Sequence, residues 1–391
     1  MKHNLKNIKI CRVSTVPFFM VFQLKGQAEY LRDIGMQVVL VSSEGPEWSM
    51  INTGNGLDVE IINIPRQVDP WNDLIALIRL TKLFLKHRFD IVHSTTPKAG
   101  LLTALAAFIA RVPIRIHTFT GQPWVTLKGF IRYASRMADR LIGALSTKCY
   151  ADSHSQIHFL VKEGIFAPGK ISIIGQGSLA GIDMERFNPG NWSLTDKQKL
   201  RRGLGIAESS KVIVFIGRIS PDKGIAELIS AFYKLVRLKY DVHLLLVGPQ
   251  DQDCGGISSL DLSSTKQCLN IHCVGFTECP ENYLSIADIY CLPSYREGLP
   301  HSVLEAAAMG LPTVATDIYG VTDAVVDGET GILVPPRDEH SLLVALKRLL
   351  DHSDESIKMG KAARTRCLRC FDSVQVNAST AEEYAKLLKL P

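Results

Sequence analysis

Short apolar runs alternate with longer, helically spaced stretches along almost the whole chain. KICRVSTV from Lys9, MQVVLVSS, DVEIINI, FDIVHST, IRIHTFTG and KISIIGQG read as strands. Between two of them, Leu74, Leu77, Ile78, Leu80 and Leu85 recur at helical spacing and predict a helix over Pro70–His87. Strand–helix alternation of this kind implies a parallel sheet covered by helices on both faces. The pattern breaks at Gly181–Leu200, where Asn188-Pro189-Gly190 and many polar residues predict a linker. It then restarts with KVIVFIGRI, VHLLLVG, NIHCVGF, ADIYCLPS, PTVATD and GILVPP as strands. Helices are expected over Ile225–Tyr240, over His301–Met309, from about Ser341, and from about Val374 to Leu390. Two consecutive open α/β sheets make a two-lobed molecule, with ligands expected at the carboxyl ends of the strands in a cleft between facing lobes.

The longest apolar run, Ala99–Pro113, is shorter than the ~18–20 residues of a bilayer span and is interrupted by Arg111. It predicts a buried helix, so any membrane contact is expected to be peripheral. The start of the chain has no apolar core or cleavage site of a secretory leader. Reduced thiols are therefore expected despite nine cysteines. Cys367-x-x-Cys370 stands alone, and Cys268, Cys273 and Cys279 scatter around His272 without the second pair a zinc site needs. No metal site is expected.

Charge changes the picture when it is divided. The whole chain has 44 basic and 39 acidic side chains, too small an excess for a nucleic-acid coat. Residues 1–185 hold 21 basic against 14 acidic, whereas the remainder holds 23 against 25. The basic front half points to an anionic partner. Arg132, Arg136 and Arg140 fall at i, i+4 and i+8, with Phe130, Tyr133 and Met137 nearby. Such a face suits anionic headgroups, and equally an ordinary exposed helix. FFMVF at Phe18–Phe22 adds an apolar run that, with this face, makes a lipid-linked acceptor reasonable.

The richest chemistry lies in Arg296–Gly310, REGLPHSVLEAAAMG, where Glu297 and Glu305 flank a glycine loop and the start of an Ala-rich helix near Ser302. Amides from Gly298 to Val303 are expected to point at a phosphate, with Glu305 in the first helical turn and free to serve hydroxyls. Upstream, strand KVIVFIG runs into Gly217-Arg218 and then Lys223-Gly224 at a helix start. Two cations beside two glycines at a strand end suit a diphosphate, Arg bidentately and Lys as a point charge.

G-R-x4-K-G followed by E-x7-E, with G-L-P-x-S-x-L-E inside it, resembles the retaining glycosyltransferases of family 4, whose fold is GT-B: two Rossmann-like domains facing across a cleft. The resemblance spans essentially the whole chain and is strongest from Lys211 to Pro336. It implies an acceptor-binding domain over residues 1–185, a nucleotide-sugar-binding domain over 186–373, and a closing helix over 374–391 that packs back toward the first. It implies that Arg218 and Lys223 hold the donor diphosphate, that Glu305 bonds ribose hydroxyls and that Glu297 contacts the transferred sugar. The loop residues Gly298, Leu299, Pro300, His301 and Ser302 would meet phosphate and sugar, and Val274, Gly275 and Phe276 would pack near the base. His117, at the end of IRIHTF, matches the histidine that contacts the sugar near the reacting carbon. No cofactor or metal is implied beyond the nucleotide-sugar co-substrate, most simply a UDP-sugar. Thr120 replaces a second histidine of the common form, and Thr15-Val16-Pro17-Phe18-Phe19 replaces a Gly-Gly pair after the first strand. Around GQPWVTLKG (Gly121–Gly129) the front half is similar to members that act on polyprenyl-diphosphate-linked sugars in bacterial surface polysaccharide synthesis. Thr15, Lys98 and Gln122 are the acceptor-side candidates. A cytoplasmic enzyme resting on the inner membrane is expected, with no nucleic-acid partner. Two other readings stay open, a non-catalytic glycan-binding scaffold and a GT-B nucleotide-sugar 2-epimerase. Asp251-Gln252-Asp253 resembles a metal motif of another transferase fold, but its polar Gly-rich surroundings read as a solvated loop.

Overall fold

The computed structural model describes residues 5–250 and 270–390. Asp251-Gln252-Asp253 and Cys268 lie outside them. The chain forms two compact units, one ending at Gly181 and rejoined by the segment from Ser373, the other Ile182–Asp372.

The first unit holds β1 (Lys9–Val13), β2 (Gln37–Ser42), β3 (Leu57–Ile61), β4 (Ile91–Thr95), β5 (Ile114–Phe119), β6 (Lys148–Ala151) and β7 (Ile171–Ser172). They lie in the order β3-β2-β1-β4-β5-β6-β7, all parallel. The strands are Val- and Ile-rich because both sheet faces are covered. Cys11, Val13, Val41 and Val92 pack under helices Pro70–His87 and Pro97–Ile109, while Ile10, Ile116 and Tyr150 face the opposite layer. That layer comprises helices Lys25–Asp33 and Ser373–Leu387. Helix Pro70–His87 starts where Asp69 accepts a hydrogen bond from the Asn72 amide (3.1 Å) and ends on the left-handed Arg88. The run containing Arg111 becomes the buried helix Pro97–Ile109. No helix among the described residues is long and apolar enough to cross a membrane.

A polar seam ties the last helix to the first sheet. Arg12, almost fully buried on β1, donates to Gln27 Oε1 (2.6 Å) and to Tyr384 Oη (2.8 Å). The same hydroxyl lies 2.6 Å from His93 Nδ1, and His93 Nε2 lies 2.8 Å from Thr118 Oγ1. Gln27 Nε2 donates to the Leu179 carbonyl at 2.9 Å. An alternating pattern hides such a seam, because Arg12 sits where a buried apolar residue is expected.

The second unit holds β8 (Lys211–Ile216), β9 (Val242–Val247), β10 (Ile271–Gly275), β11 (Ile289–Leu292), β12 (Thr313–Thr316) and β13 (Gly331–Val334). Their order is β10-β9-β8-β11-β12-β13, again all parallel.

Three elements differ from the sequence expectation. The linker over Gly181–Leu200 runs into a helix: Leu194–Gly203 is nucleated by a capping box in which Ser193 and Asp196 satisfy each other's amides. KISIIGQG shrinks to the two-residue β7, because its glycines Gly175 and Gly177 take positive φ. The strand Lys148–Ala151 was hidden behind the basic helix before it.

Candidate active site

In a doubly wound sheet, ligands collect outside the carboxyl ends of the strands where the winding reverses. In the second unit that point lies between β8 and β11. The loops leaving these strands are Gly217–Gly224 and Pro293–Pro300, the two motif-bearing segments.

The loops are laced together by crossed ion pairs. Lys223 Nζ lies 2.6 Å from Glu297 Oε1, and Arg296 Nη2 lies 2.9 Å from Asp222 Oδ2. Two adjacent residues of one loop, acid then base, thus face a base and an acid of the other. Burial works to raise the Asp222 carboxyl, but the Ser220 hydroxyl at 2.6 Å and the Arg296 charge outweigh it and lower its pKa. The backbone joins too: the Tyr295 amide donates to the Asp222 carbonyl at 2.9 Å. Gly224, at φ +66°, closes the approach, because a Cβ there would stand 2.1 Å from the Pro293 carbonyl oxygen. Gly320 does the same behind the loop, its would-be Cβ 2.0 Å from the Gly298 oxygen. Arg337 stacks 4.5 Å over the Tyr295 ring. Asp222, Arg296 and Tyr295 were missed by sequence reasoning, although the charge-reversed dipeptides Asp222-Lys223 and Arg296-Glu297 signal them.

Helix His301–Ala308 starts directly after the loop, following Pro300. Glu305 sits one turn deeper than expected, in the second turn, where it lies 3.0 Å from His301 Nδ1. That i,i+4 contact turns its carboxylate back toward the helix N-terminus. The Val303 amide is not available to a ligand as expected, because it bonds the Pro300 carbonyl at 3.1 Å. Ser302 Oγ lies 2.7 Å from the hydroxyl of Tyr290, a fully buried β11 residue that also reaches the Ile216 carbonyl (3.2 Å). Tyr290 therefore holds Ser302 against the end of β8. Arg218 and Gly217 are half-buried on the β8 side, and Leu299 packs on the core. Val274 and Gly275 end β10, next in line beyond β9, with the Phe276 ring half exposed.

The winding of the first unit reverses between β1 and β4. There Thr15 and Thr96 join, amide to hydroxyl at 3.1 Å and hydroxyl to hydroxyl at 2.8 Å. Thr96 holds φ +67°, a left-handed backbone a β-branched residue rarely adopts, and it went unnoticed in the sequence. Lys98 is engaged by Asp73 (2.7 Å) and the Gln67 carbonyl, so its charge is already balanced. Gln122 is fully buried, its Oε1 accepting from Gln156 Nε2 at 3.3 Å and its own Nε2 without a partner. His117 is buried beneath Gly100, with Nδ1 2.9 Å from Ser94 Oγ. Burial lowers its pKa to about 3, so the ring is neutral at physiological pH.

The basic face is not a free row of arginines. Arg136 pairs with Glu163 (3.3 Å) and stacks on Trp124 (5.2 Å), Arg132 also lies over Trp124, and Arg140 donates to the Gly164 carbonyl (3.0 Å). FFMVF is largely internal: Met20 and Val21 are buried and only Phe18 is exposed.

Residues 196–366 match the family described as glycosyl transferases group 1, and residues 21–177 match the glycosyl transferase 4-like domain. The chain is 31% identical to the capsular polysaccharide biosynthesis glycosyltransferase CapM of Staphylococcus aureus, over 98% of this chain and 99% of the relative. It is 28% identical to a UDP-Gal:alpha-D-GlcNAc-diphosphoundecaprenol alpha-1,3-galactosyltransferase of Escherichia coli, over 96% of each. Among solved structures, HepE of Anabaena in complex with UDP and glucose superposes with a TM-score of 0.79 at 21% identity, covering 97% of this chain and all of that one. Sucrose-phosphate synthase of Thermosynechococcus elongatus gives 0.81 at 19%, covering 98% and all. At these identities the structural likeness establishes the GT-B fold.

Proposed function

The chain belongs to the GT-B, family 4-like glycosyltransferases of surface polysaccharide synthesis, and from that premise we propose that it transfers a hexose or N-acetylhexosamine from a UDP-sugar, with retention, to a polyprenyl-diphosphate-linked saccharide. The observation that carries the reading is the Lys223–Glu297 pair at the winding reversal of the second unit. A cation suited to a diphosphate and a carboxylate suited to sugar hydroxyls stand side by side there, next to a helix N-terminus. In the proposed reaction the anomeric carbon loses its bond to the diphosphate while the acceptor oxygen bonds on the same face. The acceptor proton passes to the departing diphosphate. Arg218, Lys223 and the N-terminus of helix His301–Ala308 stabilise the growing negative charge, so neutralisation is assigned to protein groups rather than to a metal ion. Glu297 positions the sugar, Glu305 bonds ribose, and the Val274–Phe276 loop packs against the base.

UDP as the nucleotide and a lipid-linked acceptor draw support from the E. coli relative, whose name specifies UDP-galactose and a diphosphoundecaprenol-linked sugar, and from the UDP held by the Anabaena neighbour. The same acceptor class would place the enzyme peripherally, on the cytoplasmic face of the inner membrane. The test is incubation with labelled UDP-sugars and a polyprenyl-diphosphate-linked N-acetylhexosamine, followed by NMR of the product anomeric proton. An α-linked product from an α-linked donor supports the proposal. A β-linked product, or hydrolysis without transfer, overturns it.

A further inference from the structure

Among the described residues 21 large apolar side chains are exposed, and 12 of them fall between Val68 and Leu141. Val68 directly precedes the first of three neighbouring crossover helices of the first unit, Pro70–His87, Pro97–Ile109 and Gly129–Leu145, and the other eleven lie on these helices. The most exposed are Val68 (87%), Trp71 (72%), Phe130 (81%), Ile131 (62%) and Tyr133 (61%). All five sit where the chain leaves a strand and begins a helix. Since each crossover helix starts at the carboxyl end of the preceding strand, they lie along the rim where ligands of this sheet are expected. The middle helix is sunk between its neighbours and exposes large side chains only at its far end, Phe108 and Ile109.

Charge over the same stretch is one-sided. Residues 66–148 contain 13 Lys or Arg and four Asp, with no Glu between Glu60 and Glu163. Each of the four carboxylates is already occupied. Asp69 caps the Asn72 amide, Asp73 pairs with Lys98, Asp90 accepts from the Lys9 amide at 2.8 Å, and Asp139 is buried against Trp124 Nε1 at 2.7 Å. Arg66, next to Val68, and Lys128, next to Phe130, are exposed beside the apolar tips.

We propose that this rim inserts Val68, Trp71, Phe130, Ile131 and Tyr133 into an anionic lipid bilayer, with Arg66 and Lys128 at headgroup level. The surface combines what an interfacial anchor needs: projecting apolar and aromatic side chains, flanking cations and no unpaired acid. A second copy of the chain fits the same surface poorly, because like-charged rims would face each other. The inference rests on the lipid-linked acceptor reading for its purpose, since it brings the ligand-binding edge of the first unit to the membrane surface.

The test is flotation of the whole protein with vesicles of phosphatidylcholine alone and of phosphatidylcholine with phosphatidylglycerol, for wild type and the double variant Phe130→Asp/Ile131→Asp. Both positions are exposed, so the variant folds with an unchanged Tm. Wild type should float with the anionic vesicles at least tenfold more strongly than with neutral ones, and the variant should lose that preference. Trp71 fluorescence should shift to the blue on vesicle binding and not with Trp71→Phe. Equal flotation of wild type and variant overturns the proposal. So does concentration-dependent dimerisation that the variant abolishes without any vesicle binding. Stabilisation by UDP, read separately by thermal shift, reports on the transferase reading: its loss with intact flotation indicts that reading and leaves the anchor standing.

Discussion

Lys223 and Glu297 neutralise each other at 2.6 Å, so in the proposed reaction the diphosphate would draw the lysine away while the carboxylate turned to the sugar. Each partner is then worth more in the transition state than at rest. Lys223→Met and Glu297→Gln should each lower kcat by roughly 10²–10³-fold with little change in Tm; near-normal turnover in both would remove them from the mechanism. The neighbouring Asp222–Arg296 pair has a different task, fixing the two loops that carry Lys223 and Glu297. Asp222→Arg and Arg296→Asp should each reduce kcat, and the charge-swapped double variant should recover part of it, with a coupling of about 1 kcal/mol for a partly buried pair. Additive losses would show that the pair does not position the loops. The outer residues of this constellation were legible in the sequence because glycines and charges recur at set spacing. Tyr290, which pins Ser302, was not, since a buried tyrosine in a strand looks like any other core residue. His117 stood out in the sequence as a position but not in its state, because the burial under Gly100 that lowers its pKa to about 3 leaves no local trace.

At the scale of elements, helix Gly129–Leu145 carries a titration that its sequence does not announce. Burial lifts the Asp139 carboxyl to about 7, against the Trp124 hydrogen bond that lowers it. The folded chain holds this proton where an unfolded carboxyl, with a pKa of about 4, has lost it, so stability falls as pH rises from about 4 to about 7. Asp139→Asn keeps an acceptor for Trp124 and removes the titration. Its Tm advantage over wild type should grow across that window and level off above it; a constant difference would contradict the assignment. The closing helix Ser373–Leu387 poses a second case. Tyr384→Phe removes hydrogen bonds to buried Arg12 and His93 and should cost about 1–3 kcal/mol, measured by urea denaturation. Periodicity found this helix within a residue or so at its start, but Arg12 as its partner lies 372 positions away and leaves no local trace. The helix Leu194–Gly203 was lost inside a polar linker for the opposite reason. Its stability comes from a cap at Ser193 and Asp196 rather than from an apolar stripe, and it buries none of its side chains.

Across the whole molecule, alternation of strand and helix was enough to read two parallel α/β units, because buried parallel strands are continuous Val/Ile runs that polar loops cannot imitate. Strand order was not readable, and it is strand order that brings the loops after β8 and β11 together, 74 residues apart at the Lys223–Glu297 pair. The charge asymmetry was readable in sum but misassigned in detail. Arg132, Arg136 and Arg140 are spent on Trp124, Glu163 and Gly164, while the projecting groups of that helix are apolar. The central prediction is that the second unit receives a nucleoside diphosphate at the winding reversal. Isothermal titration of UDP into wild type and Lys223→Met tests this most directly. Saturable UDP binding by wild type, weakened by about 10–100-fold in the variant, is the predicted result. Equal affinity in the two proteins, or no heat of UDP binding to wild type, would contradict it.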